Sequence, residues 1–290
     1  MITTHLRSAI LEHLQIDTTE VHFHPVSGGD ISAAYRLSTP RGSYFVKVND
    51  AARYPLMYEQ EAQGLNALRR ADTALVVPEV LGVVSDAAQA AILLEWLPPT
   101  RPDRQHWQQL GKGLAQLHRH TAEQYGWQAD NYIGALPQRN TRCDTWPEFY
   151  ATQRILPQVR LARDRKLLTA PDTRLAEHLM ARLGGLCPEE PPALTHGDLW
   201  SGNAHASTLG AALIDPAVSY AHREFDLAIT QLFGGFHADF YEAYIATYPL
   251  AQGFLDRMSV YQLYIVLVHV NLFGSSYVGQ ARRILQTWGN

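Results

Sequence analysis

A chain of 290 residues, 46% hydrophobic and 18% charged, has room for two lobes or one large domain with ample core, and its composition excludes disorder. A formal net charge of -4 leaves no basic footprint for nucleic acid or an anionic membrane, so a polyanion would have to be bound locally, as a nucleotide is. Cys143 and Cys187 stand far apart without partners at metal-ligand spacing and read as reduced thiols of a cytoplasmic protein.

Ile2, Leu6, Ile10 and Leu14 recur every four residues and predict an opening amphipathic helix; with no apolar h-region it is not a signal peptide. Three strands follow at Val21–Val26, Ala33–Ser38 and Ser43–Asn49, the last two joined by a turn at Thr39-Pro40-Arg41-Gly42. Pro55 suits the first turn of a helix running to about Arg70. Strands at Val80–Val84 and Ala90–Glu95, joined at Ser85-Asp86, complete a small α+β lobe. After Leu97-Pro98-Pro99-Thr100 the texture becomes helical. Asp103 can cap a helix with Trp107, Leu110, Leu114 and Leu117 on one face, and further helices are expected near 146–168, 172–183, 224–233, 237–247 and 257–273. The apolar run Val260–Phe273 is too short to span a bilayer and fits a buried helix. The strand-like interruption of this lobe is the segment 193–215. The expected organisation is therefore an antiparallel-sheet N-lobe over 1–97 and a larger, mostly helical C-lobe over 98–290.

That interruption carries the strongest chemical signal. His196-Gly197-Asp198-Leu199-Trp200-Ser201-Gly202-Asn203 is followed by Asp215 at the end of the apolar segment Ala211-Ala212-Leu213-Ile214. An Asp five residues before an Asn, with a second Asp shortly after, is the spacing of a protein-kinase catalytic loop. In that pattern Asp198 accepts the proton of an attacking hydroxyl, while Asn203 and Asp215 hold magnesium at the nucleotide phosphates. Strands at 191–195 and 211–214 would aim the three groups at one point.

The N-lobe offers matching parts. Gly28 and Gly29, between the first two strands, allow backbone N–H groups near phosphates, although such a pair serves a plain turn equally well. Strand alternation puts Lys47 with Phe45 on one face. Glu61 falls on the apolar stripe of its helix with Met57, Tyr58, Leu65 and Leu68, where a carboxylate needs a partner, and Lys47 is the candidate. The linker backbone at Glu95, Trp96 and Leu97 is placed to read an adenine edge; this rests on position alone.

The chain resembles the fructosamine/ketosamine-3-kinase family, within the aminoglycoside-phosphotransferase-like branch of the protein-kinase-like fold. The resemblance runs through Ser27-Gly28-Gly29-Asp30, Glu61-Ala62-Gln63-Gly64-Leu65, Asp130-Asn131-Tyr132-Ile133-Gly134, Gln153-Arg154, the 196–203 run, Ile214-Asp215-Pro216-Ala217 and Arg223-Glu224-Phe225-Asp226. It implies ATP- and Mg2+-dependent phosphorylation of the C3 hydroxyl of a ketosamine, free or protein-bound. The C3 phosphate, adjacent to the C2 carbonyl, can then be eliminated to release the amine.

Gly197 stands where protein kinases carry an Arg that clamps an activation-loop phosphate, and Pro216-Ala217 replaces Phe-Gly, so a phosphorylation switch is not expected. His196 and Asp226 read as braces of the loop. Trp200 could stack on a sugar or simply pack. The pairs His22/His24 and His118/His120 lack a third ligand and are assigned no metal. Two alternatives stay open: a kinase for an aminoglycoside or choline-like alcohol, and a nucleotide-binding pseudokinase without catalysis.

Overall fold

Thr3 opens helix α1 (Thr4–His13), its hydroxyl accepting the Leu6 N–H at 3.1 Å. The computed structural model describes residues 2–17, 20–26 and 32–290; Gly28 and Gly29 lie outside the described residues. The apolar stripe of α1 does what its period predicts. Leu6, Ile10 and Leu11 are buried against Leu37, Val46, Val48 and Leu93 on one face of a sheet. That sheet contains β1 (His22–Val26), β2 (Ala33–Thr39), β3 (Gly42–Asp50), β4 (Val80–Ser85) and β5 (Gln89–Glu95), in the antiparallel order β1-β2-β3-β5-β4. All five expected strands are present.

On β3, Val46 and Val48 face α1, whereas Phe45 packs on the opposite side with α2 (Met57–Arg70). Lys47 alternates onto that second side. α2 begins two residues beyond Pro55 because Leu56 takes a left-handed conformation, φ 59°, and provides no side-chain cap.

The chain then passes to α3 (Arg104–Leu117), capped by the Asp103 carboxylate on the His106 N–H at 2.8 Å. Two short antiparallel strands that sequence reading did not anticipate, β6 (Asn131–Ile133) and β7 (Leu136–Gln138), form a hairpin. The helix expected over 146–168 is broken into α4 (Trp146–Phe149), a π-helical turn at Tyr150–Ile155 and α5 (Leu156–Asp164). The break has a simple cause. Pro157 has no N–H for the carbonyl of Gln153, which accepts the Arg154 guanidinium at 3.3 Å instead.

α6 (Ala170–Leu186) precedes the segment that forms the site. Here the two expected strands do not pair with each other. β8 (Ala193–Thr195) pairs with β11 (Ser219–Ala221), and β10 (Gly210–Leu213) hairpins with β9 (Ala204–Ser207). The two strands therefore belong to separate two-stranded ribbons, β8 with the more distant β11 and β10 with its immediate predecessor β9. Residues 196–203 connect β8 to β9, and Asp215 lies between β10 and β11.

α7 (Glu224–Leu232), α8 (Ala238–Thr247), α9 (Phe254–Phe273) and α10 (Val278–Trp288) complete the chain. The stretch Phe254–Trp288 is long and apolar enough by composition to cross a bilayer. In this fold α9 is the middle of the C-lobe core: Val260, Leu263, Leu267 and Val270 pack among Phe149, Tyr150, Leu179 and Phe225. The architecture is α+β and two-lobed.

α3 and α8 approach closely at Gly111, where an added Cβ would meet the Phe240 carbonyl oxygen at 2.1 Å. Gly111→Ala therefore has to push two packed helices apart. We expect it to destabilise the protein by about 2 kcal/mol and lower the melting midpoint by about 4–8 °C in a thermal scan.

Candidate active site

The Lys47 ammonium donates to both oxygens of Glu61 at 2.9 Å and to Asp215 Oδ1 at 2.9 Å. The Lys47 and Glu61 side chains are only 12% and 10% exposed. Burial alone would lower the lysine pKa, but the Asp215 and Glu61 carboxylates more than offset it and hold it well above its ordinary value. Burial likewise pushes Glu61 upward against the pull of Lys47. The ammonium is a fixed cation between two carboxylates, one from each lobe.

Asp198 lies beside Asn203, whose amide donates to the Asp198 carbonyl at 2.8 Å and to its carboxylate at 3.2 Å. Burial first, and then the charge of Asp215, raise the Asp198 pKa from 3.8 to about 7. Asp215 itself sits at φ 53°, a left-handed backbone that non-glycine residues seldom adopt.

The loop is held from beneath. Asp226, fully buried, accepts the N–H of His196 at 2.7 Å and of Gly197 at 2.8 Å, and takes a third bond from His118 Nε2 at 3.2 Å. Burial opposes its charge, yet these donors keep its pKa below the ordinary carboxylate value. His196 is neutral: burial lowers its pKa, Nε2 donates to the Ile214 carbonyl at 2.9 Å, and Nδ1 accepts the Asp198 N–H at 3.2 Å. Its role is thus structural. Gly197, at φ 82°, leaves no room for a side chain, since a Cβ would lie 2.1 Å from the Ala217 carbonyl oxygen. Steric closure there excludes the arginine that protein kinases use.

Phe45, Lys47, Glu61, Asp198, Asn203 and Asp215 line one cleft of about 980 Å³. Trp200 lies on its rim, 42% exposed, with its ring over Gly202, so packing and solvent contact coexist. Glu95, Trp96 and Leu97 are not part of the lining. Trp96 is one ring behind it, 6.2 Å from Phe45, and the Leu97 carbonyl accepts from His205 at 3.2 Å. Among the described residues no cluster of His, Cys, Asp and Glu forms a metal site of its own.

Sequence reading missed the far wall of the cleft, where His269 stacks among Phe233, Phe273 and Tyr277 at 4.8–5.3 Å. His269, Phe273 and Tyr277 recur every four residues. That spacing was visible, but it is also the signature of a buried helical stripe.

The sequence matches the profile of the fructosamine kinase family over residues 2–289. The chain belongs to that family. A protein of Synechocystis sp. named a probable ketoamine kinase is 42% identical over 264 residues, 90% of this chain and 88% of its own. The ketosamine-3-kinase of Mus musculus is 34% identical over 286 residues, covering 89% and 92%. A crystal structure from Thermobifida fusca, assigned as a fructosamine-3-kinase, superposes with a TM-score of 0.86 at 37% identity, covering 96% of each chain. An aminoglycoside phosphotransferase bound to a nucleotide analogue, at 16% identity and TM-score 0.63 over 98% of this chain and 99% of its own, shares the fold alone. The family makes this protein a kinase, with ATP as co-substrate.

The Asp198 carboxyl keeps its proton in the fold at pH values where the unfolded chain has lost it. The folded state therefore binds more protons between pH 4 and 7, and this group lowers stability as pH rises through that window. Asp198→Asn removes this titrating group. In protein free of divalent ions, denaturant titrations should find the variant increasingly more stable than wild type from pH 4 to 7, whereas a constant difference would remove the raised pKa.

Proposed function

We propose that this fructosamine kinase family member transfers the γ-phosphoryl group of ATP to the C3 hydroxyl of a ketosamine, a step that leads to release of the glycated amine. The observation that carries the reading is the meeting of Lys47, Glu61, Asp198, Asn203 and Asp215 in one cleft, in a chain whose relatives are named ketoamine and ketosamine kinases.

In this reading Asp198 accepts the hydroxyl proton as the substrate oxygen bonds to the γ-phosphorus and the β–γ bridging bond breaks, releasing ADP. A carboxyl raised to about 7 has enough basicity for that exchange near neutral pH. Lys47, held by Glu61, pairs with phosphate oxygens. Trp200, exposed on the rim, offers its ring to the sugar.

The donor set also fits a hard divalent cation. Asn203 directs its amide hydrogens to Asp198 and, at 3.5 Å, to the Asp215 main-chain carbonyl, which leaves its own side-chain oxygen, together with the Asp215 carboxylate, as the oxygen ligands that Mg2+ prefers. When bound, Mg2+ would neutralise charge developing on the phosphates. We assign phosphate contacts to the lobe at 1–97, including Gly28 and Gly29, and the acceptor site to the lobe at 98–290; adenine contacts at Glu95–Leu97 would require the base to reach past Phe45, beyond the cleft lining, to backbone groups other than the Leu97 carbonyl.

The names of the relatives favour a ketosamine over an aminoglycoside or choline-like alcohol, and the complete set of ionisable groups disfavours a pseudokinase. With a fructosamine or ribulosamine as acceptor, Asp198→Asn should reduce ADP release by about 10²- to 10⁴-fold. The Mg·ATP dissociation constant of that variant, read by calorimetry, should move by no more than about threefold. Undiminished turnover would remove Asp198 from the chemistry, and a wild-type chain that turns over choline or kanamycin but no ketosamine would reassign the acceptor.

A further inference from the structure

The run Asp130-Asn131-Tyr132-Ile133-Gly134 takes no part in the chemistry above, yet β6 lies along the cleft and its alternate side chains point to opposite lobes. Tyr132 turns to the N-lobe. Its hydroxyl donates to the Pro55 carbonyl at 3.0 Å, and its ring meets Tyr54 edge-on at 6.4 Å. Pro55 immediately precedes the left-handed Leu56 and the first turn of α2, which carries Glu61 and has no side-chain cap of its own. Gln128, just ahead of the run, donates to Gln63 on the same helix at 2.9 Å.

Asn131 turns the other way and is buried. It donates to the Val218 carbonyl at 2.9 Å and accepts from Gln138 and Asn140, each at 2.8 Å. Gln138 in turn donates to the Ala217 carbonyl at 3.2 Å, and buried Arg154 closes the network with bonds to Asn140 at 2.7 Å and Ser219 at 3.2 Å. The main chain held in this way, 217–219, directly follows Asp215 and Pro216.

One three-residue strand thus touches the start of the helix that carries Glu61 and the backbone that carries Asp215. These two carboxylates repel each other, come from different lobes and flank Lys47, and Asp215 is held in an unfavourable backbone conformation. Something must fix the gap between them. We propose that β6 sets it: Tyr132 and Asn131 are positioning residues that hold Glu61 and Asp215 at the spacing in which Lys47 reaches the nucleotide phosphates.

The inference rests on the ATP-dependent reading above, but its test does not need the acceptor. In the full-length chain, Mg·ATP affinity is measured by calorimetry for wild type, Tyr132→Phe, Asn131→Ala, Glu61→Gln and the double variant Tyr132→Phe/Glu61→Gln. Loss of the Tyr132 hydrogen bond should weaken binding by about three- to tenfold, and Asn131→Ala by more than about tenfold. Because Tyr132 acts through Glu61, the double variant should bind no more weakly than Glu61→Gln alone. Tyr132→Phe removes a single exposed hydroxyl and should keep its melting midpoint within about 2 °C of wild type, so it carries the test if Asn131→Ala fails to fold.

Affinity unchanged in Tyr132→Phe, or lost additively in the double variant, overturns the proposal. A melting midpoint that falls while affinity holds overturns it as well, by reducing the strand to a structural part. Wild type that binds Mg·ATP in the expected pattern yet phosphorylates no ketosamine removes the acceptor and leaves the role of β6 intact. Wild type that phosphorylates ketosamines with Tyr132→Phe unaffected does the reverse.

Discussion

A desolvated ammonium between two carboxylates is the constraint on which this molecule turns. In water the Lys47–Glu61 pair would contribute almost nothing, but at about a tenth exposure removal of Lys47 would leave the Glu61 carboxylate buried without its cation. Their strands and helices must therefore arrive at one point. β3 supplies Lys47 on the face away from α1, α2 supplies Glu61 on its buried stripe, and the turn after β10 supplies Asp215. The fold can be read as the apparatus that delivers these three groups.

The catalytic loop is delivered by a different device. β8 pairs with β11 and β9 with β10, so the segment bearing Asp198 and Asn203 and the segment bearing Asp215 both cross between the same two ribbons, one from β8 to β9 and the other from β10 to β11. Asp226 gathers the first of these from below through main-chain donors, and Ala217 lies against Gly197 from the side. Protein kinases use a charged arm at this position. In this protein, contact between backbones fills the same space.

Much of this was legible in the residues. Lys47 and Glu61 were paired by strand alternation and by the cost of a lone carboxylate on an apolar stripe, both local rules. The Asp198–Asn203–Asp215 set was visible because its members lie within eighteen residues of one another. What escaped was built from distant or ambiguous signals. β6 and β7 are too short to show a period, and their meaning comes from Pro55 and Val218, far away in sequence. Pro157 marked a weak point in the 146–168 helix, but that the strain is taken up as a π-helical turn at Tyr150–Ile155 is a matter of tertiary packing. The His269, Phe273 and Tyr277 spacing fits core and cleft equally, and only tertiary packing separates the two.

The grip of Asp226 on the catalytic loop has an evolutionary corollary. Its carboxylate binds two amide hydrogens, which every residue except proline can furnish, so this hold ignores the side chains that happen to stand above it. The Ala217 oxygen adds a second, purely volumetric rule, which admits nothing larger than hydrogen at position 197. At position 197, then, mutational drift is filtered by two prohibitions, against a missing amide proton and against a first side-chain carbon, rather than by a demand for charge.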